Sequence, residues 1–420
     1  MSTRMSRLAG GLLAVWIQGA ALEPAWAQAP QPRPLGAAVA DPAVRKAIAF
    51  VDASRDATAR QLASLGAIVS PSGKEHERAR AVAERMRSIG LQRVAVDDAP
   101  NAIGIIPGRS GRALVFVSTL DDLATVAEHQ QAAGRPPRVE GDKVLGPGTN
   151  TSATTVAMLA AAEALVSAGV KPEHDLVFAA VAQEETGLVG MSKLYADYRD
   201  RAIGFVDILG DGRSISYGAI GIHWWKVIGH GPAGHSLGGG LPNVNQGIGR
   251  AVDRILALPQ PEQRKDARTV INISILESGA VFNHKPETGW FSLDIRSLES
   301  AVLDGIEADV RRILEQVTKE TTITFTMEPF QMTPGGQIPG ARDSALVRTA
   351  EAISKHLGLE VTLGNSGSSN MNVAIGGGSL AIGLGGNRGG ERGTPAEWAD
   401  IPAMLRSAKH VVLLAATIGG

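Results

Sequence analysis

No cysteine occurs among the 420 residues. Disulfides, thiolate metal sites and cysteine nucleophiles are therefore excluded together. Aromatic residues are scarce at 4%, so the core must be built mainly from Ala, Val, Leu and Ile. No excess of charge of either sign exists: 41 Lys and Arg stand against 42 Asp and Glu, a net charge of −1. That balance offers no electrostatic basis for binding nucleic acid or an anionic membrane surface. Gly238-Gly239-Gly240 is followed by no helical pattern in a phosphate-binding arrangement, which removes a nucleotide loop from consideration. What the chain does have is glycine, 50 residues of it, suited to many tight strand-to-helix turns. It also has length enough for two domains.

The first residues read as an export signal. Arg4 and Arg7 supply a positive start, and Leu8 to Leu22 is an apolar stretch too short to span a bilayer comfortably. Ala25-Trp26-Ala27 fits a small-x-small cleavage site, with Gln28 as the first mature residue. Residues 1–27 are therefore expected to be a signal peptide, giving a periplasmic or secreted protein with no membrane attachment after cleavage. The rival reading is an uncleaved anchor. Residues 28–40, with the Pro-rich run from Pro30 to Pro34, read as a linker.

Helical patterns are expected at Ala43–Gly66, Lys74–Gly90 and Ser152–Val170, the last with Val156, Leu159, Ala160 and Leu165 on one face. Strand patterns lie near 94–96, 102–106, 113–117 and 175–180. This alternation predicts a three-layer αβα sheet domain formed by residues 41–220 and 334–420. Between them, residues 221–333 read strand-helix-strand-strand-helix-strand, the order of a small ferredoxin-like α+β domain.

The buried-strand pattern Asp175 to Ala180 runs into Val181-Ala182-Gln183-Glu184-Glu185-Thr186-Gly187-Leu188-Val189-Gly190. Two adjacent carboxylates at the end of a buried strand are costly unless a cation or a proton meets them. Open α/β sheets hold their chemistry at such strand ends. The bland alternative is a solvated acidic pair opening a loop.

Other stretches fall in a recognisable series with this one: Gly231-Pro232-Ala233-Gly234-His235-Ser236, Asn283-His284-Lys285-Pro286, Asp294-Ile295-Arg296, Ser368-Ser369-Asn370 and Thr394-Pro395-Ala396-Glu397-Trp398. Together they resemble the acetylornithine deacetylase, aminoacylase and glutamate-carboxypeptidase family of dizinc peptidases and amidohydrolases, over nearly the whole mature chain. The resemblance implies a catalytic sheet domain with an inserted lid that also forms a homodimer. It implies zinc or another divalent metal, and a small carboxylate-bearing peptide or N-acyl amino acid as substrate. Glu184 matches the general base, Glu185 and Asp211 match metal ligands, and Asp121 matches the acid that orients a histidine ligand. His235 matches a catalytic lid residue; Asn283, Arg296 and Asn370 match substrate contacts.

The sequence departs from the family's metal chemistry at separated places. Thr119 stands where the first histidine ligand is expected, Thr151 where the bridging carboxylate is expected, and Gly393 where the last histidine is expected. A rebuilt site would have to recruit Asp121, Asp122, His129 or Glu391. Thr151 also has an ordinary reading as the cap of a helix beginning at Ser152, and Arg296 as the partner of Asp294. Three functions stay open: a hydrolase of peptide-like or N-acyl amino acid C–N bonds with a changed or lost metal site, a non-catalytic relative that binds a small carboxylate, and a metal-independent acid/base enzyme.

Overall fold

The computed structural model describes residues 31–259 and 268–420; the expected signal peptide lies outside the described residues. The main sheet has eight strands. In order they are Gln92–Val96, Ala102–Ile106, Asp175–Val181, Ala113–Thr119, Ala202–Ile208, Ala381–Gly385, Ser214–Ser216 and Thr362–Gly364. The four inner strands from Asp175–Val181 to Ala381–Gly385 are mutually parallel. Two of them, Ala113–Thr119 and Asp175–Val181, are buried at every position. Continuous apolar sequence, rather than alternation, is what a parallel strand covered on both faces requires. Their C-terminal ends therefore open at one edge of the sheet.

On one face, Val115, Val117, Val177 and Ala179 pack with Met191 and Leu194 of the helix Val189–Tyr198. On the other, the rings of Phe116 and Phe178 stack 5.5 Å apart, and Ser118 meets Thr155 at 3.0 Å. Thr155 belongs to the central helix Thr149–Ala168, which packs against the helices Pro42–Ala53, Arg55–Gly66 and Ile401–Thr417. The expectation of a single apolar face for this helix is too modest. It begins at Thr149, not Ser152, and is buried around nearly its whole circumference, the condition that matches an all-round small and apolar sequence.

Residues 221–333 form a separate antiparallel sheet. Gly221–His230 and Thr288–Ser297 lie at its centre, flanked by Thr324–Thr333 and by Val270–Asn272, with Leu276–Ser278 also paired to Thr288–Ser297. The helices Val244–Leu256 and Ser300–Thr321 bring Ile248, Ala251, Ile306 and Val310 against Val227, Phe291, Leu293 and Ile295. First and third strands at the centre is the expected ferredoxin-like arrangement.

The N-terminal reading needs one correction. In place of one helix over Ala43–Gly66 there are two, Pro42–Ala53 and Arg55–Gly66, and a further helix, Leu35–Ala40, lies within the stretch expected to be linker. Asp41 separates Leu35–Ala40 from Pro42–Ala53: its side chain accepts from the Ala43 amide at 2.8 Å, and Pro42 occupies the first helical position. The backbone amide of Arg33 donates to Thr417 at 3.0 Å, tying this end to the last helix.

His410 sits wholly buried in that last helix. Its Nε2 faces the Ser354 hydroxyl at 2.9 Å and the Ala350 carbonyl at 3.2 Å. Burial pushes its pKa down to about 4. A histidine held neutral in the fold but free to charge when unfolded contributes stability above its unfolded pKa of about 6.5, and loses it as pH falls toward the folded value. Relative to a His410→Leu variant, the wild type should lose about 2 kcal/mol more between about pH 7 and pH 4.5. Urea unfolding at both pH values checks this; parallel losses in the two proteins would contradict it.

Candidate active site

The acidic strand Asp175–Val181 ends in a turn closed on itself. Gln183 (φ 56°) and Leu188 (φ 59°) both take left-handed backbone, and the Leu188 amide donates to the Gln183 carbonyl at 2.9 Å. Such conformations cost roughly 1–3 kcal/mol each for a non-glycine residue and persist only where surroundings impose them. Here the surroundings are explicit. The Ala182 amide donates to Asn101 Oδ1 at 3.1 Å, and Asn101 Nδ2 donates to the Gly190 carbonyl at 2.9 Å. The Gln183 amide donates to Glu75 Oε1 at 3.1 Å. The amides of Glu184 and Glu185 donate to the two oxygens of Asp121, at 2.8 and 3.0 Å, and Ser72 donates to the same carboxylate at 2.6 Å. Gly190 has to be glycine, because a Cβ there would lie 2.3 Å from Asn101 Oδ1. Asp121 thus clamps the acidic turn; it has no histidine ligand to orient.

The turn presents two carboxyls to a crowded interior. Burial, then the charges of Glu185, Asp207 and Asp121, hold the Glu184 carboxyl well above the usual carboxylate range. Burial also raises Glu185, against the pull of Arg392, with which it forms an ion pair. Asp207, on the neighbouring strand Ala202–Ile208, is buried and raised by that burial to about 6. It accepts from the Met371 amide at 3.2 Å and lies 3.5 Å from Asn370 Nδ2. The loop after the strand Ala381–Gly385 adds the cations. Arg388 feels Glu184, Glu185 and Glu397, and burial depresses its guanidinium. Among the described residues, no hydrogen bond or ion pair holds that guanidinium.

Several expected site residues lie elsewhere or are otherwise engaged. Asp211 does not join the acidic turn. It is wholly buried with Arg406 at 3.0 Å, Arg213 at 3.1 Å and the Asn387 amide at 3.1 Å. The acid that does approach Glu184 from this strand is Asp207, four residues earlier. Asn370 is fully buried and donates to Thr119 Oγ1 at 3.1 Å, so it forms the floor of the site and offers no surface to substrate. Thr151 is not a cap. Gly148 precedes the helix, and Thr151 lies inside its first turn, beside Asp122. Asp122 is paired with Arg78 at 2.6 Å in full burial. Gly393 has left-handed backbone (φ 82°), a conformation in which a histidine would be strained. Its amide donates to Glu397 Oε2 at 3.1 Å; the other Glu397 oxygen accepts from Gly148 and Asn150 at 2.9 and 3.0 Å.

The lid residues stand apart. His235 and Asn283 bond each other at 3.0 Å on an exposed hairpin, and Arg296 pairs with Asp294 at 3.0 Å. Among the described residues, no hydrogen bond or ion pair joins any of the three to the acidic turn.

The donor set does not fit a dinuclear metal centre. Such a centre needs several His or carboxylate ligands converging on each ion. Among the described residues no group of three or more His, Asp or Glu is arranged to hold one ion. Asp121 and Asp122 are committed elsewhere, and Arg392 occupies the Glu185 carboxylate. Sequence reasoning overlooked Asp207, Arg388 and Arg392. Asp207 ends a readable strand, Phe205-Val206-Asp207; the two arginines lie in a glycine-rich loop whose path no local pattern gives.

Replacing Asp121 with alanine strands the two amides of the acidic turn. At about 1–3 kcal/mol for each buried donor left without a partner, Asp121→Ala should destabilise the protein by about 2–4 kcal/mol in urea unfolding. An unchanged midpoint would contradict the clamp.

Comparison with known proteins bears on the family and the fold. Residues 122–417 match the sequence profile of peptidase family M20/M25/M40. A search of curated proteins by sequence finds none that matches. Among solved structures, aminopeptidase PepT from Bacillus cereus superposes with a TM-score of 0.72 at 20% identity, over 87% of this chain and 99% of that one. A tripeptidase from Staphylococcus aureus gives 0.71 at 18% identity, over 86% and 97%. The YXEP protein of Bacillus subtilis, a dinuclear metal-binding peptidase, gives 0.64 at 14% identity, over 87% and 98%. The extent of the profile match decides the family, and the fold agrees: the chain belongs to peptidase family M20/M25/M40, a family of hydrolases.

Proposed function

We propose that this protein is an exported hydrolase of C–N bonds in peptide-like or N-acyl amino acid substrates, with Glu184 as the residue that moves the proton and with the family's metal site lost. The observation that carries this is the clamped acidic turn. Glu184 is half-buried at the mouth of the parallel strands, its backbone fixed by Asp121, and its pKa raised by loss of solvent and by neighbouring acids. A carboxyl whose pKa is raised above the ordinary range is a stronger base when ionised, able to take a proton from water and return it to a leaving amine. The substrate class is supported by relatives that include an aminopeptidase, a tripeptidase and an aminobenzoyl-glutamate utilization protein. The Thr119 hydroxyl, which accepts from Asn370, keeps its own hydrogen to donate toward a developing oxyanion.

The pair of exposed groups on the lid supports a homodimer. Among the described residues no hydrogen bond or ion pair joins His235 to the acidic turn of its own chain, and in the proposed dimer the second protomer brings it to one. Export rests on the Arg4, Leu8–Leu22 and Ala25-Trp26-Ala27 pattern; mass spectrometry of the mature protein should give a chain beginning at Gln28. A second reading, a protein that binds but does not turn over, is favoured by the Glu185–Arg392 ion pair, which occupies a group the family uses in catalysis.

Glu184→Gln separates the two readings. On a panel of dipeptides and N-acetyl amino acids, it should lower kcat by roughly 10²–10⁴-fold with little change in binding. The wild-type kcat/KM should rise with pH through a pKa well above the ordinary carboxylate value of about 4.3, because only the ionised carboxyl accepts a proton. Retained turnover in the variant would remove Glu184 from the mechanism, and absence of turnover in the wild type across the panel would favour the binding protein.

A further inference from the structure

Alternation along the lid strand Gly221–His230 sends two neighbouring tryptophans in opposite directions. Trp225 turns to the helices, where its indole nitrogen donates to Glu307 of Ser300–Thr321 at 3.0 Å. Trp224 turns to the face of the sheet that these helices leave open. There its ring meets that of Phe330, with centroids 6.3 Å apart, and its nitrogen donates to Asp294 at 2.8 Å. Trp290 stands on the same face, its own nitrogen donating to Glu277 at 3.2 Å. Ser292 lies opposite Lys226 in the strand register, and the two fall between the indoles. Together these side chains line a cavity of about 370 Å³, within the roughly 300–1,000 Å³ of small-molecule sites. Core packing does not account for it, because Phe330 leaves 77% of its surface in solvent.

We propose that this open face of the lid is a binding site for a planar aromatic ligand carrying a hydrogen-bond acceptor, with the ring against Trp224, Trp290 and Phe330 and the acceptor met by Lys226. The polar groups select the ligand. Both indole nitrogens are engaged, which fixes the rings and leaves their faces for stacking. Asp294 already accepts from Trp224 and pairs with Arg296 at 3.0 Å. The Ser292 hydroxyl oxygen accepts from the amides of Ser274 and Ile275 at 3.2 and 2.9 Å. Lys226 is different: its ammonium lies 4.7 Å from the centre of the Trp290 ring, and among the described residues no hydrogen bond or ion pair holds it. A sugar needs several free donors and acceptors, and an organic cation needs a free acid and no ammonium beside it. A flat ring with one acceptor needs only what the cavity offers, and it would cover the apolar surface that Phe330 exposes.

None of these residues belongs to the acidic turn, so the inference stands apart from the hydrolase reading and is tested by binding. Isothermal titration of the full mature protein with naphthalene-2-carboxamide and with its saturated counterpart, decahydronaphthalene-2-carboxamide, is the experiment. The two probes share an amide and a similar apolar bulk, and neither carries a charge. The aromatic probe should bind saturably and at least fivefold more tightly than the saturated one. Phe330→Ser, at an exposed position, should weaken the aromatic probe at least fivefold, and Lys226→Met should weaken it at least threefold. In the nuclear magnetic resonance spectrum, the indole N–H signals of Trp224 and Trp290 should shift on titration. The comparison of the two probes and the indole shifts use the wild-type protein, so they decide the matter even if a variant fails to fold. Absence of saturable binding, equal affinity for the two probes, unmoved signals of Trp224 and Trp290, or a folded Phe330→Ser that binds as the wild type does would each overturn the proposal. So would a Phe330→Ser variant that dissociates an oligomer of the ligand-free protein, because the face would then be covered by a second copy of the chain.

Discussion

Burying carboxylates at one strand edge is the constraint on which the rest of this structure depends. The parallel strands Asp175–Val181 and Ala202–Ile208 deliver Glu184, Glu185 and Asp207 to one small volume, and each buried charge without compensation costs several kcal/mol. Members of a metallopeptidase fold can meet that cost with metal ions. This chain keeps the acids while Thr119, Thr151 and Gly393 hold no ligand, and it places Arg388 and Arg392 beside them. A guanidinium supplies positive charge and directed donors, without requiring converging lone pairs from histidine and carboxylate.

The same constraint explains the stiffness of the acidic turn. Left-handed backbone at Gln183 and Leu188 would relax if the turn were free. Glu75, Asn101 and Asp121 hold it through its own amides, drawing on three distant stretches of chain. Asp121 is the clearest case of a residue kept in position while its task differs from the family expectation. Without a histidine at position 119, its carboxylate serves the backbone of Glu184 and Glu185 instead.

Much of the fold was legible in the sequence because its strands are long apolar runs and its lid has strong two- and four-residue periodicities. The helix Ser300–Thr321, with Ile306, Val310 and Val317 inward, needs no tertiary information to identify. Boundaries were less legible where a cap decides them, as at Asp41 and at Gly148. The acidic turn could be found from its paired glutamates, but its surroundings could not. Asp211 is singled out in the sequence by the family motif Gly210-Asp211-Gly212; in the structure it pairs with Arg406 and Arg213, and the acid whose charge reaches Glu184 is Asp207. Arg388 and Arg392 lie in an irregular loop whose long-range contacts leave no periodic trace.

The measurement that most directly tests the account is the metal content of the mature protein, taken by elemental analysis after dialysis against zinc, manganese and cobalt and then against metal-free buffer. Guanidinium compensation of the acids predicts far less than one ion per chain for every metal. About two ions per chain would mean that the acids at the strand mouth are compensated by metal after all, and would contradict the central role given to Arg388 and Arg392.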